Sequence, residues 1–363
     1  MSQKKHIIHL VSNREWGGGE QYVFNLCQHF AANNHPVTIF CRPVQQVIER
    51  FSLLGVSLYQ LPLKGMFDLF SAVRLSTFLR GKQCLIHVHN FKDAFTAAIA
   101  RKISGNKNVR IILTRHLVRK GKNSGIYRWL YKQLDKIVFV SELAKKEFLS
   151  TGVTIAPERI TVVRNSIIIP ENIDKVDIRK EFSLPEESTI AMYHGRIDAE
   201  KGLDVLIDAI HLLKDKKLLL LLIGKGNETY FTSLLQRVKE YGLENNIKFI
   251  GYRSPVLPYL RECDFGILPS IVKEACPLSC MEYMSQGRTV ITTDNGGQAE
   301  YLDDERTSLL VPPGDAEALA EKISELANNA DKRRLLGENA LKDYTEKLNY
   351  NCFLKEITNV YGY

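Results

Sequence analysis

The chain has 363 residues, 45% hydrophobic and 25% charged, a soluble globular composition long enough for about two ordinary domains. Its net charge of +8 hides an asymmetry: residues 1–170 hold 25 Lys+Arg against 9 Asp+Glu, whereas residues 171–363 hold 24 against 32. The acidic second half argues against a chain that coats nucleic acid, so none is expected as a partner and the basic half needs another explanation.

The first apolar run, His6 to Val11, is interrupted by His9 and soon followed by Arg14, unlike the hydrophobic region of a signal peptide; a cytoplasmic protein is expected. Further β-branched runs follow at Val37 to Cys41, Cys84 to His89, Ile111 to Thr114, Lys136 to Val140 and Ile160 to Val163. Between Asn165 and Pro185 a charge-rich stretch bounded by prolines marks a seam, and a second set begins: Thr189 to Tyr193, Leu218 to Ile223, Ile247 to Ile250, Phe265 to Leu268, Thr289 to Thr292 and Ser308 to Val311. Leu218 to Ile223 is the longest apolar run, far short of the roughly 20 residues that span a bilayer. Helical patterns separate the runs, the signature of βαβ units on a parallel sheet. The fold class expected is α/β, with two Rossmann-like doubly wound domains, residues 1–170 and 171–345, facing a cleft, and a C-terminal helix in 346–363 returning to the first. Residues Asp315 to Lys347 read as helix, with Leu319, Ile323 and Leu326 at helical spacing. The seven cysteines form no C-x-x-C pair and read as reduced packing residues, without a zinc site.

In open α/β sheets ligands sit at the carboxyl ends of strands, so the loops there carry the functional reading. Trp16-Gly17-Gly18-Gly19-Glu20 follows the first strand; such glycines let backbone N–H groups approach an anion, or serve only turn geometry. The run has neither dinucleotide-fingerprint nor P-loop spacing, which counts against nicotinamide and ATP. After the first strand of the second set, Arg196 and Lys201 lie five residues apart, suited to a diphosphate unless the loop is merely solvated. Pro269 to Glu282 is the strongest local pattern. Glu274 falls in a loop and Glu282 near two turns into the next helix, where carboxylates could bind the vicinal diols of sugars or ribose, or simply cap a helix.

Together these pieces resemble family 4 of the retaining glycosyltransferases, with the two-domain GT-B fold. The resemblance runs through Gly17-Gly18-x-Glu20, Thr114-Arg115-His116, Arg196 with Lys201-Gly202, Gly251-Tyr252, Leu268-Pro269-Ser270, Glu274 with Glu282, and Gly296-Gly297 with Glu300. It implies that Gly17 and Gly18 approach the donor phosphate, His116 lines the donor sugar, and Arg196 and Lys201 hold the diphosphate. Glu274 would bind the transferred sugar, Leu278 and Ser279 would offer amides to phosphate, Tyr252 would lie near the base and Glu282 would bind the ribose diol. The chain departs from the family pattern at Asn165-Ser166, often Asn-Gly, and at Pro277, commonly Gly.

The implied activity is retaining, metal-independent transfer of a hexose-type sugar from a nucleotide-diphosphate sugar, a UDP-sugar favoured, to a saccharide or lipid-linked acceptor of surface polysaccharide or glycolipid. The nucleotide sugar is a substrate; no cofactor and no metal is expected, since Asp303-Asp304-Glu305 reads as a solvated helix end. The alternative is a silent nucleotide-sugar or glycan-binding subunit. Asp264-Phe265-Gly266 copies a kinase triplet without the accompanying loops. Arg101 to Lys136 holds 11 Lys+Arg and one acid, Asp135, with Ile126, Trp129, Leu130 and Leu134 at helical spacing. That stripe reads as core; the charge field reads as attraction to an anionic membrane surface or acceptor, placing the enzyme peripherally on the inner face of the cell membrane.

Overall fold

The computed structural model describes residues 5–213 and 217–362. The chain forms two compact units, one of Met1–Asn165 with Leu354–Tyr363, the other of Ser166–Phe353.

The first unit is a seven-stranded parallel sheet: β1 His6–Val11, β2 Val37–Cys41, β3 Ser57–Gln60, β4 Cys84–Val88, β5 Val109–Arg115, β6 Lys136–Phe139 and β7 Ile160–Val162, in the order β3-β2-β1-β4-β5-β6-β7. The second is a six-stranded parallel sheet: β8 Thr189–His194, β9 Leu218–Ile223, β10 Ile247–Gly251, β11 Phe265–Leu268, β12 Val290–Thr293 and β13 Ser308–Val311, in the order β10-β9-β8-β11-β12-β13. Each is doubly wound, and its strand order reverses once, at β1/β4 and at β8/β11. Chains diverge there and leave a crevice at the carboxyl ends of the strands.

The central strands form because helices cover both sheet faces, so continuous apolar runs are buried: β2, β4 and β9 are buried at every position. β3 escaped the sequence reading. It is an edge strand, Ser-Leu-Tyr-Gln, almost wholly exposed, with no apolar run to mark it. In the second unit, Leu203, Leu206, Ile207 and Ile210 of the helix Leu203–Leu213 join Leu319, Ile323 and Leu326 of the helix Ala316–Asn328 in one core.

The helix Gly125–Gln133 corrects one reading. It buries Tyr127, Leu130 and Tyr131, while Ile126 is exposed and Trp129 only half-buried, its ring stacked on Phe95 at 6.2 Å. Leu130 and Leu134 are core as expected, Leu134 from just past the helix end in extended conformation, but the helix's buried face runs through Tyr127 and Tyr131 in place of Ile126 and Trp129. Asp303 to Glu305 is likewise no helix end: Asp304 sits in the turn before β13 and accepts from the Leu310 N–H at 2.9 Å. The kinase-like triplet is structural, Phe265 and Gly266 being buried in β11. All seven cysteines are free thiols, six of them buried. Among the described residues no helix is long and apolar enough to cross a membrane.

The last helix, Tyr350–Tyr361, brings Tyr361 into the first unit, where its ring stacks on Phe30 at 5.0 Å and its carbonyl accepts from Arg110 at 3.0 Å. Its hydroxyl lies 2.7 Å from His87 Nδ1, deep under β4. Replacing Tyr361 by Phe strands a buried imidazole nitrogen, and we expect a loss of about 1–3 kcal/mol in thermal unfolding, with no change of fold by circular dichroism.

Candidate functional site

In the first unit the chemistry-bearing side chains gather at the β1/β4 reversal. The loop after β1 leads into the helix Gly18–Ala32, whose first turn has Gly17 as N-cap. Glu20 turns back on that end: its Oε2 accepts from the Gly17 N–H at 3.0 Å and its Oε1 from Asn13. The positive helix terminus thus already holds an internal carboxylate, and the amides of the glycine run are shared between that carboxylate and any incoming anion. Burial raises the Glu20 pKa. Next to it a cavity of about 260 Å³ is walled by Ser12, Asn13, Glu20, His89, Asp93 and His116, among others. Asp93 is buried beside Ser12 and Asn90, and desolvation pushes its pKa up to about 7.

Four histidines meet here, His89 and His116 in the wall and His9 and His87 behind it. β1 and β4 pair in register, placing His9 beside His87, and His89 and His116 follow at the ends of β4 and β5. Burial holds all four imidazoles neutral, with His9 pushed down to about 3 and His116 to about 4. Ring nitrogens of His9, His87 and His89 lie within 4.8 Å of one another, a spacing that could hold a metal ion. Both nitrogens of His87, however, already have partners, Tyr361 and Thr114, each at 2.7 Å.

In the second unit the cluster forms at the β8/β11 reversal. Lys201, at the end of a short 3₁₀ turn, pairs with Glu274, and Ser270 Oγ donates to the same Glu274 oxygen at 2.9 Å. The loop carrying Glu274 is pinned along its length. The Ile271 N–H donates to Glu200 at 3.0 Å, the Gly297 N–H to the Glu274 carbonyl at 2.7 Å, and Tyr301 Oη to the Pro277 carbonyl at 3.0 Å. The helix Leu278–Ser285 then starts at Pro277 without a side-chain cap, so the first-turn amides, those of Leu278 and Ser279 among them, have no internal carboxylate to serve. Glu282 stands a little over one turn into this helix, not near two, and its Oε2 is 3.0 Å from His194 Nε2 without the alignment of a hydrogen bond.

Gly202 brings Lys201 and Glu274 together. Its φ of +66° is left-handed, and a Cβ there would lie 2.2 Å from the Pro269 carbonyl oxygen. The Gly202→Ala variant is expected to cost about 1–2 kcal/mol from the backbone conformation alone, and more from the clash. Its thermal midpoint should fall.

Lys201 and Glu274 thus form one cluster, and Leu278 and Ser279 open the helix that follows Glu274. Arg196 is not drawn into the cluster: its side chain is 65% exposed and engages Asp198 at 2.7 Å and Glu200 at 3.8 Å on its own loop. Tyr252 is exposed just past β10, with Lys225 Nζ 5.3 Å from its ring centroid. His116, Gly17 and Gly18 belong to the first unit's cluster. The sequence assigns no role to His9, His194 or Asp93; of His87 and His89, which alternate along one strand, it indicates only that one can face the cleft, and that is His89, which lines the cavity. Only the strand register shows that the rings of His9 and His89 converge.

Two family models cover nearly the whole chain: Glycosyltransferase Family 4 over residues 16–169 and Glycosyl transferases group 1 over residues 174–343. The chain belongs to family 4 of the glycosyltransferases. An uncharacterized glycosyltransferase of Methanocaldococcus jannaschii is 29% identical over 290 residues, 76% of this chain and 74% of its own. N-acetyl-alpha-D-glucosaminyl L-malate synthase of Bacillus anthracis is 25% identical over 290 residues, again 76% and 74% of the two chains. Among solved structures, Anabaena HepE in complex with UDP-glucose superposes with a TM-score of 0.85 at 18% identity, covering 98% of this chain and 99% of that one. That likeness establishes the GT-B architecture.

Proposed function

We propose that this glycosyltransferase moves a hexose-type sugar from a nucleotide-diphosphate sugar, a UDP-sugar favoured, to a saccharide or lipid-linked acceptor in the synthesis of surface polysaccharide or glycolipid, with retention and without a metal ion. The observation that carries the donor assignment is the Lys201–Glu274–Ser270 cluster beside the uncapped helix that begins at Leu278. A leaving diphosphate needs positive charge where its own charge develops, and a lysine next to free helix amides supplies it. Arg196, freed from Asp198, would add a second cation. Glu274 would hold hydroxyls of the transferred sugar and Glu282 the ribose diol, with Tyr252 near the base. In the first unit His116 would line the donor sugar, and Gly17 and Gly18 would approach the phosphate. Retention follows if the leaving phosphate takes the acceptor proton on the face it vacates. HepE, crystallised with UDP-glucose, supports a uridine donor.

A thermal-shift panel of UDP-, GDP- and ADP-sugars, repeated with EDTA, tests this reading. A uridine sugar should stabilise the protein with and without chelator, and transfer should give product of unchanged anomeric configuration. Loss of binding or turnover in EDTA overturns metal independence, an inverted product overturns retention, and no response to any nucleotide sugar overturns the donor class.

The basic unit supports an anionic, membrane-borne acceptor. Phe67, Leu69, Phe70 and Val73 are each at least 50% exposed, and Lys64 and Arg74 flank them. Apolar side chains among lysine and arginine suit the interface of an anionic bilayer, where each basic residue contributes about 1 kcal/mol. The protein should float with vesicles containing anionic lipid; equal binding to neutral vesicles, or none to either, overturns the assignment.

A further inference from the structure

Three imidazoles form a row across the β1/β4 reversal. His9 Nδ1 lies 3.3 Å from His89 Nε2, and His89 Nδ1 lies 3.2 Å from His116 Nε2. The ring planes are nearly parallel, His9 and His89 tilted by 7° with centroids 5.6 Å apart and His89 and His116 by 26° with centroids 5.4 Å apart. Neighbours hold the row in place. Tyr22 stands edge-on to both His89 and His116, at 5.6 and 4.9 Å, and His87, pinned by Tyr361 and Thr114, lies 4.4 Å from His89.

A neutral imidazole carries its proton on one nitrogen and accepts with the other. A hydrogen-bonded row of neutral rings therefore has two self-consistent arrangements. In one, every ring donates from Nδ1 toward the cavity, and His116 is left with its proton on Nδ1. In the other, every ring donates inward, and His9 is left with its proton on Nε2. The inner end decides between them: His9 is 0% exposed and its Nε2 has no partner. An orphaned buried N–H is the rarer fault, an unsatisfied acceptor the more tolerated one. The row ends there, so it leads protons nowhere; what it transmits is orientation.

We infer that His9 and His89 are positioning residues that fix His116 as the Nδ1–H tautomer, so that His116 meets its ligand as a hydrogen-bond donor to an oxygen. His116 lines the 260 Å³ cavity, and with Nε2 committed to His89 its Nδ1 is the ring nitrogen left for a ligand. A donor fixed in this way selects a sugar that has a hydroxyl or other oxygen at that point and disfavours one that lacks it. The identity of the ligand rests on the nucleotide-sugar reading; the tautomer does not.

The test is two-bond ¹⁵N–¹H correlation spectroscopy on protein labelled with ¹⁵N-histidine, with His116 assigned by the signals lost in His116→Gln. The expected spectrum shows Nδ1 of His116 as the protonated, pyrrole-type nitrogen and Nε2 as pyridine-type. His89→Ala should release the ring to a mixture of tautomers, and His89→Asn, whose amide can donate in place of Nδ1–H, should restore the original pattern. With UDP-glucose as the probe donor, His89→Ala should lower kcat about 10-fold, the size of one hydrogen bond, with KM little changed, and His89→Asn should recover most of it. A wild-type His116 protonated on Nε2 overturns the inference, as does a His116 pattern indifferent to His89→Ala. If the spectrum is as expected but UDP-glucose neither binds nor reacts, the donor reading fails and the tautomer assignment stands.

Discussion

Replacing Lys201 by Ala lowers turnover about 10²- to 10³-fold, the range found when one preorganised stabiliser of developing negative charge is removed. The expectation follows from where the ammonium sits. Lys201 is 19% exposed and Glu274 18% exposed, and they pair with each other while Ser270 donates to the same carboxylate oxygen. The lysine therefore has a structural partner as well as a proposed substrate, and a single substitution confounds the two: it leaves Glu274 with an unpaired, largely desolvated charge. The double variant separates them. Glu274→Gln, in which no buried charge is left to neutralise, is the reference. If Lys201 only neutralises Glu274, adding Lys201→Met to Glu274→Gln should recover the stability lost in Lys201→Met and cost little further turnover; if it holds the leaving diphosphate, stability recovers and turnover falls about 10²-fold below that of Glu274→Gln. Lys201→Arg keeps the charge but spreads it over a planar fork that does not match a point contact, so it should rescue folding more completely than catalysis. Arg196→Ala, by contrast, removes a side chain that stands in solvent beside Asp198 and should act mainly on KM. Turnover in the double variant equal to that of Glu274→Gln alone would remove Lys201 from the chemistry.

Twelve of the thirteen strands in the described residues are visible as apolar runs, the central ones because parallel strands under helices are buried on both faces; the exposed edge strand β3 carries no such run. The acidic unit's cluster is legible for a related reason. Lys201 and Glu274 are charged residues in the loops that follow the buried strands β8 and β11, where an α/β sheet presents its ligand-binding side chains. What sequence alone does not show is pairing: Ser270 beside Glu274, or His194 facing Glu282, depends on loops pinned by backbone hydrogen bonds that no spacing encodes. The histidine row is the clearest case. His87 and His89 alternate along one strand, so one of them can face the cleft; His9 and His87 are core while His89, just past β4, lines the cavity, and the β1/β4 register brings the three separate residues together. The glycine run shows the converse: the sequence suggests an anion site, and the structure shows Glu20 already occupying the Gly17 amide.

Mild acid should unfold the first unit before the second. Burial depresses the pKa of His9 to about 3 and of His116 to about 4, and it holds His87 and His89 well below the ordinary value of 6.5, neighbouring imidazoles and Arg115 adding to the effect. In the unfolded chain these groups take up protons near pH 6.5; in the folded chain they do not. Between those limits the unfolded state binds more protons, so stability is full above pH 6.5 and drains away as pH falls toward the folded values. At pH 5 the loss is about 2 kcal/mol each from His9 and His116, with His87 and His89 acting in the same direction. Asp93 opposes it. Its folded pKa is raised to about 7, so the folded state binds the extra proton and stability grows as pH drops from 7, by about 3 kcal/mol at pH 5. The raised Glu20 acts the same way. Four histidines outweigh this compensation, and the net loss is a sizeable part of the 5–15 kcal/mol that holds an ordinary domain together. Only two of the nine histidines, His194 and His211, lie in the second unit. Calorimetry from pH 7.5 to 5 should therefore show the transition of the first unit moving down ahead of the other. Asp93→Asn removes the opposing proton uptake and should steepen the fall, while His9→Leu should flatten it. A first-unit transition that stays put down to pH 5, or one that Asp93→Asn leaves unchanged, would mean that the buried imidazoles do not control stability in this range.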